Sequence, residues 1–527
     1  MLLDATNARE LPNVLNAPVV IIGAGTVGLF LAVSLARSKI PTILVEAGGR
    51  VVDTVRPGQT AVSVGKVHHG TMLGRAFGLG GTSTLWRGQL AEFDEWDLTA
   101  PGREWPIPYS ELKRCYEHVY AALNIKPQTL VKLGQIVEKD HRSESGVERF
   151  CTFFLPQQNF ALRFRADIRS NPLLKVILNA TANDILFAGS KATAVRAVAP
   201  GGREIQISGQ SFVFACGTLE ICRFFLSIQR RSDVPWKHNR NIGAFFQDHY
   251  AGKVGDVYIT DEKLFRDNFE PGFISGHKYH AKLRYSATTK RPPFSGMAGY
   301  FRFASNVSEN IDNLKFVVRT FKSGAAYSKL SRLPADIWSL GSAIIPLAVR
   351  FARDRRILAF MDKGVEFEVL GEQIPIADSA IRLLVEDPQP DGLYRAEVRW
   401  KLNGGEITHI RDFALRSNAY LQENKIASIS IDERLLQGDR SILEEFGDFY
   451  HQSGGMCIGA SESSGVVDSD CRVWGTSNVY LAGASVFPSS SHANCTLTAL
   501  ALAGRLASLL ERSSQWSVSR LHTPASR

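Results

Sequence analysis

Gly23, Gly25 and Gly28 stand in the spacing GxGxxG, between the apolar run Val19–Ile22 and a helix-forming stretch that starts near Thr26 and Val27. Glycines so spaced suit the pyrophosphate of a dinucleotide. The first turns the chain tightly, the second lets the main chain approach the phosphates, and the third lets helix and strand pack closely. A helix beginning at Thr26 aims free N–H groups and the positive end of its dipole at that anion. Glu46, followed by Ala47, closes a second apolar strand, where an acid can bond an adenosine ribose hydroxyl. The motif does not separate NAD from FAD, and a glycine-rich turn of another α/β fold is the plainer alternative.

The elements that must position such a site follow in order. Gly70–Leu90 holds six glycines, which suggests main chain packed against a ligand rather than a linker. From Trp105 to about Pro156 the pattern is helical, clearest over Tyr109–Leu123. Val176–Asn179 and Phe212–Phe214 read as strands around a turn near Gly201–Gly202, and Ala215–Glu220 opens another helix. Between Ala251 and about Glu445 the period changes to two: Ala396, Val398, Trp400 and Leu402 alternate with charged residues. Val254–Ile259, His280–Tyr285, Gly299–Phe303 and Lys315–Phe321 read as further strands of an antiparallel sheet with helices on one side. Pro334–Phe360 reads as a helix broken at Pro346, and an alanine-rich helix is expected from Thr496 to Leu510. The fold class is mixed α/β: a Rossmann-like nucleotide domain from 18–104, 168–250 and 446–512, an inserted sheet domain from 105–167 and 251–445, and a loose tail over 513–527.

At 527 residues the chain is long enough for two domains, and 44% hydrophobic with 21% charged residues is ordinary globular composition. The net charge of +9 is spread along the chain, with local groups at Arg230–Arg240 and Arg350–Arg356. These read as solvated faces, and no nucleic-acid module accompanies them. Seven scattered cysteines without a CxxC argue against a disulfide framework, a zinc site or a dithiol centre, and no metal is expected. Asp4, Arg9 and Glu10 precede the first strand, so the start does not read as a signal peptide. Trp338–Val349 is too short to span a bilayer. The expectation is a cytoplasmic enzyme, with surface attachment through that segment the lesser alternative.

The C-terminal block is more specific. His451-Gln-Ser-Gly454-Gly455, Gly465-Val-Val-Asp468, Arg472-Val-Trp-Gly475, Asn478-Val-Tyr480 and Gly483-Ala-Ser-Val-Phe-Pro488 precede Ser491-His-Ala-Asn494-Cys-Thr-Leu-Thr498. This order resembles the glucose–methanol–choline (GMC) oxidoreductases, FAD enzymes that oxidise alcohols. The Gly80-Gly81-Thr82-Ser83 loop, the Ala215–Glu220 turn and Asn241-Ile-Gly243 with Asp248-His249 resemble other landmarks of that family. Glu372-Gln373-Ile-Pro375 and Gly88-Gln89 resemble its sugar-active bacterial branch, near pyranose oxidases, glycoside oxidases and fructose dehydrogenase.

The resemblance implies a chemistry. Alcohol oxidation removes a hydroxyl proton and moves a hydride from the same carbon to flavin N5. By resemblance His451 is the base and Asn494 the partner that bonds the substrate oxygen; without the resemblance a structural histidine would be the default. FAD would be held by the Gly23–Gly28 turn, Glu46, Ala47, Gly80, Gly81, Thr82, Ser83, Ala182, Ala215, Gly483, Ala484, Asn494, Cys495 and Thr496. The helix after Asn494 would present its N-terminus to the flavin edge where charge gathers on reduction. Trp86, Arg87 and His492 are weaker candidates for substrate contact: Trp86 equally suits a structural packing role, Arg87 a surface role and His492 a loop. His249 reads as structural, and the His68–His69 pair has no recognisable partner.

Departures from the family pattern are informative. Leu85 stands where pyranose 2-oxidases carry the histidine that bonds the flavin, so the FAD is expected to be non-covalent at this loop. Cys457-Ile458 replaces a frequent Arg-Met, Cys495 a usual proline, and Arg87 a common glycine. The expected substrate is a small alcohol or sugar; oxygen, a quinone or a cytochrome would each serve as electron acceptor. A GMC-type lyase and a non-redox FAD-binding protein are the rival readings. A disulfide-reductase-type flavoprotein lacks its cysteine pair here and a second GxGxxG.

Overall fold

The computed structural model describes residues 1–7, 11–137, 144–306 and 333–521. Two large sheets organise it. The first has eight strands, and its parallel core is Leu2–Asp4, Leu174–Leu178, Thr42–Val45, Val14–Ile22 and Glu204–Phe214, in that spatial order. Val14–Ile22 ends in four buried residues, and Thr42–Val45 is buried throughout, as strands covered on both faces must be. The helix Thr26–Arg37 buries Leu29, Phe30, Leu31, Val33 and Leu35 against this sheet and the last helix.

Two strands missed in the sequence, Thr181–Ala188 and Lys191–Val198, form an antiparallel meander leading into Glu204–Phe214. They were hidden because Asn183, Asp184, Lys191 and Arg196 interrupt any apolar run. The upper end of Glu204–Phe214 pairs instead with Val479–Leu481, from the far end of the chain.

The second sheet is antiparallel and has nine strands, including Val147–Phe154, Tyr250–Ile259, His277–Tyr285, Met297–Phe303, Val365–Gly371 and Ala427–Ile431. Helix Glu406–Glu423 lies on it through Phe413, which meets Tyr285 at 5.1 Å between ring centroids. Helix Glu262–Phe269 meets the same sheet through Phe269, 4.3 Å from Phe301. The expected antiparallel sheet with its helices is thus present. Gln89–Leu90 also pairs into it, though read as part of the nucleotide domain.

Other expectations need correction. The alternating stretch near Ala396 forms Tyr394–Arg399, but in a separate three-stranded sheet with Ala380–Pro388 and Ala61–Ser63. A period of two identifies a half-buried strand without naming its partner. The last helix runs Cys495–Leu521, well past Leu510 and into the expected tail. Helix Leu333–Asp354 is continuous through Pro346 and leaves Ile344, Ile345, Val349 and Phe351 exposed. No helix of the described residues is long and apolar enough to cross a membrane. The expected strand Lys315–Phe321, residues Arg9 and Glu10, and the end of the tail from 522 lie outside the described residues.

Candidate active site

The glycine turn is built as its spacing requires. A Cβ on Gly28 would lie 1.9 Å from the Gly23 carbonyl oxygen, and one on Gly23 would lie 2.6 Å from the Cys216 Cα. Helix and strand therefore meet over bare main chain, and the first glycine abuts the second small-residue turn. Gly25 differs: a Cβ there would meet nothing within 4 Å, so it borders open space at the helix start, half-buried with Thr26 and Val27. No side chain caps that helix. Its first N–H groups are free for an anion. The second loop closes over the turn, since Gly80 N–H donates to the Ala24 carbonyl at 2.9 Å and a Cβ on Gly81 would sit 2.9 Å from the Gly25 Cα. Gly483 borders open space as well, with Ala484 and Thr496 half-buried nearby in sequence. A bare, uncapped helix start beside open space fits a dinucleotide pyrophosphate.

Other expected cofactor residues are occupied with the protein itself. The Glu46 carboxylate accepts N–H bonds from Ala24 (2.8 Å), Gly48 (2.9 Å) and Gly78 (2.9 Å), so it pins both loops and keeps little acceptor capacity for a ribose. Burial pushes its pKa up, and the three amides oppose that shift. The Ser83 hydroxyl donates to the Gly80 carbonyl at 2.6 Å and accepts from Phe160 N–H, so its side chain is turned inward; Thr82 is exposed. Ala47 presents its carbonyl to Arg56, which also reaches Thr181 beside Ala182. Ala182 and Ala215 are buried, as is the Cys495 thiol, whose pKa burial pushes up.

The His451 and Asn494 side chains, far apart in sequence, meet directly: Asn494 Nδ2 lies 2.8 Å from His451 Nε2, and both residues are half-buried. His249, read as structural, is the missed member. Its Nδ1 lies 2.7 Å from His451 Nδ1, and its Nε2 faces the main-chain carbonyls of Ser491 (2.8 Å) and Ser490 (3.2 Å). Carbonyls only accept, so His249 Nε2 carries the hydrogen and His249 Nδ1 accepts one from His451 Nδ1. The His451 Nε2 lone pair then accepts the Asn494 amide N–H. Burial, reinforced by the charge of Lys282, holds the His451 pKa well below the ordinary histidine value. His451 is therefore neutral, with its basic nitrogen fixed in direction. The adjacency of His249 to the Asp248 landmark was the sequence signal for this role.

Asp248 supports His451 from behind. Its Oδ1 accepts the His451 main-chain N–H at 2.8 Å and its Oδ2 pairs with His68 Nε2 at 2.9 Å, both side chains fully buried. The neighbouring His69 and Gly70 N–H groups donate to Asp448, and Gln452 donates to the Gly70 carbonyl. The glycine-rich loop is thereby tied to the turn that bears His451, and the His68–His69 pair acquires partners.

His492 is buried behind the site, its ring 5.4 Å from Phe150 and its Nδ1 3.8 Å from Asp97. It is walled off from open space, and its position supports the loop reading over substrate contact. Asp97 accepts from the Ser491 hydroxyl, while Glu372 accepts the Ser490 and Ser491 amides, so this polar core fixes the approach to Asn494. Trp86 donates to the Gln158 carbonyl at 2.8 Å and packs near Phe160, in keeping with a packing role. Arg87 is exposed and has no ion-pair partner among the described residues.

A parallel sheet that ends in an uncapped glycine turn, and a buried histidine pair that meets Asn494, fit a dinucleotide-dependent oxidoreductase. Residues 375–503 match the family model described as GMC oxidoreductase. A search of curated protein sequences finds no match. Among solved structures, pyridoxine 4-oxidase from Mesorbium loti superposes with a TM-score of 0.59 at 14% identity, over 94% of this chain and 99% of that one. A formate oxidase variant from Aspergillus oryzae RIB40 gives 0.56 at 13%, over 96% and 100%. An FAD-dependent oxidoreductase from Chaetomium thermophilum gives 0.56 at 14%, over 95% and 100%. At such identities these likenesses show a shared fold extending over nearly the whole chain.

Proposed function

We propose that the protein oxidises a hydroxyl of a sugar, glycoside or related alcohol to a carbonyl, with non-covalently held FAD. The observation that carries this reading is the neutral His451 with its Nε2 lone pair beside the Asn494 amide. FAD, when bound, would supply the hydride acceptor; the Gly23–Gly28 turn and the Gly80–Thr82 loop would hold it. A substrate hydroxyl inserted between the two side chains donates to His451 Nε2, while its oxygen accepts from Asn494 Nδ2. His451 takes the proton, and the imidazolium keeps its Nδ1–H bond to His249, so no rearrangement accompanies the transfer. The sugar assignment rests on the resemblance of the Gly80–Gln89 loop and of Glu372–Pro375 to the sugar-active branch. Oxygen, a quinone or a cytochrome remain equal candidates for the acceptor.

The test is the visible spectrum of the purified holoenzyme, followed anaerobically as neutral sugars, glycosides, sugar acids, sugar phosphates and simple alcohols are added. Bleaching by any of them supports the reading. A bound flavin that none of them bleaches removes it in favour of a lyase. Non-covalent attachment is checked separately by acid precipitation. Residues 80–87 include no histidine, cysteine or tyrosine to bond the flavin. The yellow colour should therefore appear in the supernatant; colour kept in the pellet contradicts the prediction.

A further inference from the structure

Strand His277–Tyr285 alternates strictly: His277, Tyr279, Ala281, Leu283 and Tyr285 are buried, whereas Lys278, His280, Lys282 and Arg284 retain partial exposure on the other face. That second face is a row of basic side chains. Arg284 is matched by Glu148 at 2.9 Å. Lys278 and Lys282 have no ion-pair partner among the described residues, and His280 Nε2 is buried without a hydrogen bond. Lys282 is the innermost. Its ammonium lies 5.6 Å from the Tyr300 ring centroid, Tyr300 lies 6.5 Å from Phe449, and Phe449 lies 5.2 Å from His451. The Lys282 charge acts on both His451 and His249. Arg87 and Lys278 in turn act on His280, which joins the glycine-rich loop to the same basic face.

A largely covered ammonium without a carboxylate is costly, and such groups concentrate at sites where a ligand can supply the missing charge. Burial alone brings Lys282 down to about 8, with no acid near enough to oppose it. Lys253 and Lys263, by contrast, are each paired to nearby acids.

We propose that the hydroxyl compound oxidised beside His451 carries a carboxylate or phosphate group that pairs with Lys282, with Lys278 and Arg87 extending the anion-binding surface. This rests on the alcohol-oxidation reading and narrows its substrate to a sugar acid, a sugar phosphate or a similar anionic polyol. The reaction balance is unchanged: the anionic group takes no part in proton or hydride transfer and serves only to orient the carbon that does.

Two measurements on the holoenzyme test it. In the first, anaerobic flavin reduction is compared for hexuronates, hexose phosphates and the neutral hexoses, with wild type, Lys282→Met and Lys282→Arg. Wild type should prefer an anionic compound over its neutral congener. Lys282→Met should cut that preference by about 10- to 100-fold, mainly through KM, and Lys282→Arg should restore most of it. Whether uronates or phosphates respond identifies the anion. A preference for neutral sugars overturns the proposal and leaves alcohol oxidation standing. An equal loss for both kinds of substrate also overturns it, because the charge would then serve the hydride step. In the second, acetate and inorganic phosphate are titrated into the oxidised holoenzyme while the flavin absorption is recorded. A spectral shift seen in wild type and lost in Lys282→Met supports anion binding even if no compound in the panel reduces the flavin. Identical spectra throughout overturn it.

Discussion

His451→Ala slows anaerobic flavin reduction by about 10²- to 10⁴-fold, the usual worth of a positioned base, while the flavin remains bound. The size follows from geometry. Deleting the imidazole removes the basic nitrogen that faces the Asn494 amide and leaves His249 Nδ1 without its donor. Rapid-mixing absorbance with the best substrate measures it; a variant within a factor of a few of wild type removes His451 from the chemistry. The tautomer assignment adds a second arm. His249→Phe keeps His451 but frees its Nδ1 hydrogen from direction, and the rate should fall by about 10- to 100-fold, the range typical of a partner that orients a functional imidazole. The pH dependence has a fixed sign. The His451 pKa is lowered, so the basic form persists below ordinary histidine values, and the acid limb of kcat/KM should lie below about pH 6.5.

Arg223→Met destabilises the fold by about 3–5 kcal/mol, as expected when one member of a buried ion network is lost. Arg223 is 1% exposed and binds Glu220 at 3.0 Å and Asp391 at 2.8 Å; Glu220 also pairs with Arg75. The network joins the glycine-rich loop, the helix Thr218–Arg231 and the turn before Tyr394–Arg399. Burial alone would raise the Glu220 pKa, but Arg223 and Arg75 outweigh it and hold Glu220 down to about 2. Because the folded value lies below the unfolded one, this stabilisation is full above about pH 4.5 and is lost as pH falls towards 2. Urea unfolding near neutral pH should show the whole difference between variant and wild type, and the gap should close within that acid window. A variant within about 1 kcal/mol of wild type at neutral pH contradicts the assignment.

The glycine turn was legible in the sequence because its demands are local: Gly23 and Gly28 are required by main-chain approaches that any Cβ would block. The C-terminal block was legible through its resemblance. What could not be read was pairing across long separations. The His249–His451 contact spans 202 positions and the Asp248–His68 contact 180, and no periodicity encodes either. Glu46 sits where spacing places an acid, but its three amide partners arise from two loops that fold back separately. The row Lys278–Arg284 overlaps a stretch, His280–Tyr285, that read simply as a strand. Its lack of acidic partners becomes visible only once the opposing elements are in place.

The strand Val479–Leu481 completes the upper flank of Phe212–Phe214. On a ribosome, that flank emerges long before its mate is synthesised. Until then the nascent chain presents an apolar, unpaired strand edge ready to accept a stranger. Maturation of the nucleotide-binding half therefore waits until residues 479–481 have been made, and a chain truncated before residue 479 should be a client for chaperones rather than a free-standing flavoprotein.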